Sequence, residues 1–386
     1  MSKITKYALS DLYDMSSGLS SKKEQAGHGA PFVSFGTVFN NYFLPEELPD
    51  LMDTNEKEQQ IYSIKTGDVL ITRTSETIDE LAMSCVAVKD YPKATYSGFT
   101  KRLRPKREGI AYPKYMAFYF RSALFRKAVT NNAFMTLRAS FNEDIFTFLD
   151  VYLPDYDEQV RIGDMLYNIE CKIQKNKEIN DYLEQQALLI FSHMFQNISY
   201  GLNYVGDYIT PKRGKALLSK DAIPGCVPVI AGGLVPATYH NMANTVAPVL
   251  TISGSGANAG YVNIWHDPVW SSDSSYIDYK MTPNVYFWYA FLKLRQQDIF
   301  DIQTGSAQPH IYPKHIAELS IGDIDNFKVE SYTSQVTPLF AKIGANVREN
   351  KELQQLRDWL LPMLMNGQAT IEDCCDKLSF KVEWRR

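Results

Sequence analysis

The side chains in this chain best suited to chemistry are cations and small hydroxyls, spaced for binding rather than for catalysis. KRLRPKR, residues 101 to 107, holds five basic side chains in seven positions. Alternation along a strand would send Lys101 and Leu103 to one side and Arg102 and Arg104 to the other, where guanidinium groups can meet phosphates or guanine edges. Lys212, Arg213 and Lys215 form a sparser second group. Such runs are usually solvated faces, and charge alone does not single out nucleic acid. The octapeptide SGSGANAG (253 to 260) follows the strand-like VLTI. It fails as a phosphate-cradling loop because GYVNIW, another strand, follows where a helix N-terminus must stand. It fails as a nucleophile elbow because Ser253 occupies a required glycine position. What is left is a flexible polar loop between strands, either a surface hairpin or a place where a polymer approaches the backbone closely. Thr72, Arg73, Thr74 and Ser75 hold the corresponding place earlier in the chain. The histidines show no metal spacing, and no G-x-x-x-x-G-K-[ST] loop or Asn/Asp-Pro-Pro-aromatic motif is present. The five cysteines are odd in number and lack C-x-x-C, which predicts reduced thiols and neither a disulfide framework nor a zinc site.

These groups must be positioned by the rest of the chain, which is organised around residues 157 to 195. Apolar positions step by four and three through Ile162, Leu166, Ile169, Ile173, Leu183, Ala187, Ile190 and Met194, with Asn176 and Asn180 in the same stripe. The spacing predicts a coiled-coil seam with a polar middle. Some forty residues at ~1.5 Å each make a rod of about 60 Å, longer than one domain core needs. A matching stretch runs from 331 to 366. Superposing NKEI (176 to 179) on NKEL (350 to 353) aligns Ile162 with Val336, Ile169 with Ile343, Ile173 with Val347 and Asn176 with Asn350. A buried Asn layer would fix register between two paired helices, while a solvated Asn is the bland alternative.

Before each long helix comes a globular stretch with one order of parts: strands at 67–73, 84–89 and 96–104, a polar loop over 50–60, and a helix over 112–128 opened by Pro113. The second stretch repeats the order, with PVLTIS, GYVNIW and an aromatic helix at 285–294. The expected fold class is therefore α+β, a two-fold internal repeat of globule and rod, with irregular, mostly antiparallel sheets and two long antiparallel helices. Expected boundaries are 1–154 and 199–327 for the globules, 155–198 and 328–366 for the helices, and 367–386 for a tail folding back, with LSFKVEW alternating like a strand. The net charge of −4 argues against binding nucleic acid by bulk charge. No apolar run suits a signal peptide or membrane span, and the expectation is a cytoplasmic protein.

LPDYDEQVRIGDMLYNIECKIQKNKEINDYLEQQALLIF resembles the central region of the specificity subunits of type I restriction-modification systems, in which L-P-x-x-x-E-Q-x-x-I opens a long helix. TGSAQPHIYPKHIAELSI is similar to the G-x-x-Q-P-x-I segment that ends a target-recognition domain in that family. The first globule has TLRASFNED in place of that segment, and the second helix has Ser334-Gln335 for E-Q and Pro338 in its first turns.

The resemblance implies a non-catalytic subunit with two target-recognition domains, each reading half of a bipartite double-stranded DNA site. It implies two modification subunits that carry S-adenosylmethionine and methylate adenine, and restriction subunits that use ATP and magnesium, with no cofactor on this chain. Candidate DNA contacts are then Arg73, Thr74, Ser75, Lys101, Arg102 and Arg104 in the first domain. In the second they are Lys212, Arg213, Ser253, Ser255, Asn258, Tyr261, Gln308 and His310. Spacer and docking positions are Ile162, Leu166, Ile169, Ile173, Asn176 and Leu183 on one helix, and Ile343, Val347, Asn350 and Leu353 on the other. A different class of reading is a protein-interaction scaffold with two heads on a rigid spacer. A self-contained methyltransferase or nuclease is opposed by the missing motifs.

Overall fold

The computed structural model describes residues 4–132, 139–198, 200–305 and 308–367. The expected tail with its LSFKVEW strand lies outside the described residues, apart from Gly367. Two compact units are present: one comprises the chain up to Lys172 and resumes at Glu352, and the other is Ile173–Lys351.

Each unit contains the same three sheets. In the first, a four-stranded sheet has the order Tyr13–Ser17, Thr100–Pro105, Val69–Thr72, Ser84–Val86. In the second, Lys212–Arg213, Ser274–Asp278, Val249–Ser253 and Val262–Trp265 take the same places, antiparallel throughout. A three-stranded sheet repeats as well: Ala26–Val33 lies between antiparallel Asp50–Met52 and parallel Thr95–Tyr96. Val227–Ile230 lies likewise between Thr238–His240 and Trp270–Ser271. Two-stranded ribbons, Thr5–Ala8 with Asp150–Leu153 and Asn203–Tyr204 with Ser320–Ile321, close each unit. The central strands are buried on both faces, so VLIT and VLTI read as unbroken apolar or β-branched runs.

Local sequence accounts for two departures from expectation. The polar stretch over 50–60 contains strand Asp50–Met52 and helix Glu56–Ile61. Asn55 and Glu58 form a reciprocal cap there, with Glu58 N–H donating to Asn55 Oδ1 at 3.0 Å and Asn55 N–H to Glu58 Oε2 at 2.9 Å. The single helix expected over 112–128 is two, Pro113–Tyr119 and Ala123–Asn132. Ser122 Oγ accepts from Phe125 N–H at 3.3 Å at the start of the second, while the Arg121 guanidinium donates to the carbonyls of Val38, Phe39, Asn41 and Ser84.

The long helices are Tyr156–Met194 and Asn326–Met365. Pro338 lies well inside the second rather than in its first turns. In the first unit, buried Ile162 and Leu166 share a core with Leu360, Leu364 and Met365, and Arg357 Nη1 donates to Glu170 Oε2 at 2.9 Å. In the second unit, Ala187 and Phe191 pack with Tyr332, Val336, Phe340 and Ile343. Asn176 Nδ2 donates to Asn350 Oδ1 at 2.9 Å and to Glu349 Oε2 at 2.8 Å, and Asn346 Nδ2 donates to Asn180 Oδ1 at 2.8 Å. Asn176, Asn346 and Asn350 are buried, so the solvated-Asn alternative is excluded. Ile173 belongs to the buried seam, Ile169, Leu183 and Leu353 are half-buried, and Val347 is 48% exposed and outside the seam. The register explains Val347: Asn346 and Asn350 take the inward positions on that helix face and turn Val347 outward.

Candidate nucleic-acid interface

In the first unit the ends of the central strands meet the segment from 139 to 141. Thr74–Ser75 pairs with Ala139–Ser140, and Arg73 is bracketed by backbone bonds: its N–H donates to Phe99 O and its carbonyl accepts from Phe141 N–H, both at 2.8 Å. This holds Arg73 at the surface, with Thr74 and Ser75 half-exposed beside it. Lys101 Nζ donates to Ser17 Oγ at 2.9 Å on the adjoining strand. Partial burial, and next the Arg73 guanidinium, hold the Lys101 ammonium below its usual lysine pKa. Two cations sharing a patch in this way favour an anion.

Arg102 and Arg104 do not join them. The Arg102 side chain is 8% exposed, donates to Ser63 O at 2.5 Å and lies 5.4 Å from the Tyr96 ring centre. Arg104 grips Asp68 with two bonds, Nε to Oδ1 at 2.8 Å and Nη2 to Oδ2 at 2.6 Å, and also donates to Ser63 O at 2.9 Å. Their strand is an inner one, and the chain at 61–63 covers the face they occupy. The expectation that this face of KRLRPKR meets DNA is corrected: these guanidinium groups are structural.

Sequence reading missed the aromatic neighbour of Thr74. Phe99 is 65% exposed and, with the stacked pair Phe35 and Phe39 (centroids 5.8 Å apart), walls a cavity of about 370 Å³. Thr74, Ser75, Glu76 and Glu80 complete its lining. The available signal was YSGFTKRLR, a large apolar residue two positions before Lys101 at a Gly turn.

In the second unit the SGSGANAG loop is tied down rather than flexible. Gly254 N–H donates to Asp273 O at 2.9 Å, Gly256 N–H to Pro309 O at 3.0 Å, and Ile311 N–H to Gly254 O at 3.0 Å. Gly256 and Gly260 take positive φ, +83° and +87°, which accounts for glycine at both turns. Asp273, also missed from sequence, is the hub: its carboxylate accepts from Ser255 Oγ and from Arg213, whose guanidinium lies 5.8 Å from the Tyr312 ring centre. His310 stacks on Tyr312 and bridges to Ser255, so Arg213, Ser255 and His310 come together. Lys212 and Gln308 are exposed. Ser253 is buried at 4% at the strand end, and the Asn258 carbonyl turns the loop by accepting from Tyr261 N–H at 3.0 Å. Tyr261 is drawn toward Lys293, whose ammonium lies 4.5 Å from its ring centre. Ser253 and Tyr261 are thus committed within the unit.

Among the described residues, no group of His, Cys, Asp and Glu is arranged to hold a metal ion, and no helix is long and apolar enough to cross a membrane.

Comparison with known proteins points to one family. Residues 1–185 match the family model described as the type I restriction modification DNA specificity domain. The type I restriction enzyme MjaIX specificity subunit of Methanocaldococcus jannaschii is 22% identical over 91% of this chain and 89% of its own length. The fold is shared with the crystal structure of a type I restriction-modification S subunit from M. genitalium, with TM-score 0.58, 18% identity, and coverage of 94% of this chain and 96% of that one. The HsdS subunit of Thermoanaerobacter tengcongensis superposes more loosely, with TM-score 0.36 and 14% identity over 95% and 97% of the two chains. The family model over residues 1–185, the relative aligned along most of its length and the shared fold thus make the chain similar to the specificity subunits of type I restriction-modification systems.

Proposed function

We propose that this chain is the sequence-reading subunit of a methylation and restriction complex, each unit reading one half of a bipartite double-stranded DNA site. The reading rests on one observation above the others: a single sheet order occurs twice, and in both copies cations and hydroxyls gather where the central strand ends. Arg73, Thr74, Ser75 and Lys101 serve one half-site; Lys212, Arg213, Ser255, Gln308 and His310 serve the other. A chain of net charge −4 must bind through such local groups, since bulk attraction is lacking.

Recognition is this chain's whole contribution, and the chemistry belongs to its partners. The globules, 1–154 and 199–327, act as the readers, and the long helices set half-site separation and dock two modification subunits. Exposed Ile179, Tyr182, Leu189 and Val347 suit that docking, because apolar side chains on the outside of a helix pair favour a protein partner. Modification subunits bring S-adenosylmethionine for adenine methylation, and restriction subunits bring ATP and magnesium.

The test is to co-express the chain with its modification subunit and map modified adenines across host DNA by single-molecule sequencing. A bipartite motif of fixed gap, lost when this chain is deleted, is expected. A stable complex that produces no motif would overturn the reading in favour of a protein-interaction scaffold.

A further inference from the structure

The pair formed by Arg213 and Asp273 in the second unit has more structure around it than a surface ion pair needs. Arg213 ends an edge strand opposite Ser275, and the chain after it is pinned: Gly214 N–H donates to Ser274 O at 2.8 Å and Lys215 N–H to Ser271 O at 2.9 Å. Asp273 is held through its carbonyl by Gly254 N–H at 2.9 Å and through its carboxylate by the Ser255 hydroxyl. Gly254 shows how closely the pair is seated. A Cβ there would stand 2.5 Å from Arg213 Nη1 and 2.8 Å from both the carbonyl oxygen and Oδ1 of Asp273. Asp273 engages Nη2 of the guanidinium, and among the described residues Nε and Nη1 have no hydrogen-bond acceptor. The two side chains are 39% and 37% exposed, so those donors can be reached from solvent.

The carboxylate decides what these donors can meet. Asp273 balances the charge of Arg213 and so weakens its attraction for a phosphate, while the remaining N–H groups of the planar fork stay available. A charge-balanced fork suits a neutral group with two acceptors side by side. In the major groove guanine offers that pair, O6 and N7; adenine and cytosine place an amine there, and thymine has one acceptor beside a methyl. We propose that Arg213 reads a guanine of the second half-site through O6 and N7, and that Asp273 is the positioning residue that turns the guanidinium toward it. The inference rests on the second unit being a DNA reader. By strand register, Ser17 stands opposite Lys101 as Arg213 stands opposite Ser275, and Arg73 N–H holds the carbonyl of Phe99 as Gly254 N–H holds that of Asp273. The first unit thus has serine and phenylalanine at the two positions, and this guanine contact is confined to one half-site.

Methylation mapping of the full chain in complex with the modification subunit first gives the wild-type motif. Affinity is then measured for duplexes in which each guanine of that motif is replaced in turn by 7-deazaguanine, which lacks N7, or by inosine, which keeps both major-groove acceptors. One guanine of one half-site should lose about tenfold with 7-deazaguanine and little with inosine. Arg213→Ala should abolish that sensitivity and relax the motif at that position, with the other positions and the gap unchanged. Asp273→Asn should relax the same position and, by freeing a cation, steepen the slope of log K against log salt by about 1. A pair that only braces the fold would instead lower the melting temperature and leave the motif whole, which would overturn the proposal. So would a motif without a G·C pair, a sensitivity that survives Arg213→Ala, or an Arg213→Ala complex that keeps the motif and loses affinity equally on all sequences, which would make Arg213 a phosphate contact. The 7-deazaguanine measurement uses the wild-type chain and decides the matter where a variant fails to fold. A wild-type complex without any bipartite motif brings down the functional reading as well, whereas a bipartite motif with no sensitive guanine removes this inference alone.

Discussion

Arg104 and Arg73 show how two arginines thirty-one positions apart can have opposite tasks. Asp68 has no exposed side-chain surface, and Arg104 supplies both of its charged hydrogen bonds. Arg104→Ala leaves that carboxylate buried without its cation. Because 28% of the Arg104 side chain meets solvent, water compensates in part, and the cost should be about 2–3 kcal/mol, below the range for a fully buried pair. Chemical denaturation would read this as a fall in midpoint with little change in the salt slope of DNA binding. Arg73→Ala with Lys101→Ala should behave in reverse, leaving the midpoint alone and reducing the slope of log K against log salt by about 1 to 2. Equal salt slopes in the two variants would refute the division of labour. KRLRPKR announced a basic strand, but its sequence could not say which face a chain thirty-eight or more residues upstream would cover. The location of Asp273 was illegible for a similar reason: it lies 18 residues from Ser255 and 60 from Arg213, and only the fold joins them.

The paired helix segments of the second unit place amides where an apolar seam would be more stable. Asn176 and Asn350, which the internal repeat superposes, are also the residues that touch. Asn350→Leu alone takes from the Asn176 amide one of its two hydrogen-bond partners, Glu349 remaining, and should cost about 1–3 kcal/mol, while the double Leu variant should recover most of that loss. A double-mutant cycle by thermal melting measures the coupling, and additive losses would show that the pair contributes no mutual stability. The seam itself was legible, because a 3.5-residue period records burial directly. Its partner register was not, since Val347 has the right type and spacing for the core and is turned outward by the Asn positions around it.

The loop carrying His266 docks on the same helix. Its ring lies 6.1 Å from that of Phe340, and the backbone at Gly344 comes so close that an added Cβ would stand 2.8 Å from the His266 Cβ. Burial, opposed by attraction to Asp267 and aided by repulsion from Arg348, lowers the His266 pKa to about 4. The unfolded chain protonates this histidine near pH 6.5 and the folded chain does not. The contribution is therefore complete above that pH and is lost as pH falls toward 4, on the order of 3 kcal/mol across the window. His266→Phe should flatten the stability profile between pH 6.5 and 4. An unaltered profile would place the acid sensitivity elsewhere.

Both long helices cross from one compact unit to the other without a break, Tyr156–Met194 after Lys172 and Asn326–Met365 after Lys351. A helix has no slack along its axis: each residue adds about 1.5 Å, whereas a flexible linker would absorb insertions. If these crossings set the distance between half-sites, four residues inserted into each helix at its crossing should lengthen the spacer by about 6 Å. Base pairs rise ~3.4 Å, so the gap in the methylated motif should grow by nearly two positions, with both half-sites unchanged in sequence. The insertion also turns one end by about 40° relative to the other, since four residues exceed one helical turn. Modest loss of affinity should accompany the longer gap, because the second half-site is then met slightly out of phase. Methylation mapping of the inserted chain decides the matter: a gap that stays the same while the motif survives would mean that the DNA or the modification subunits, and not the helices, set the spacing.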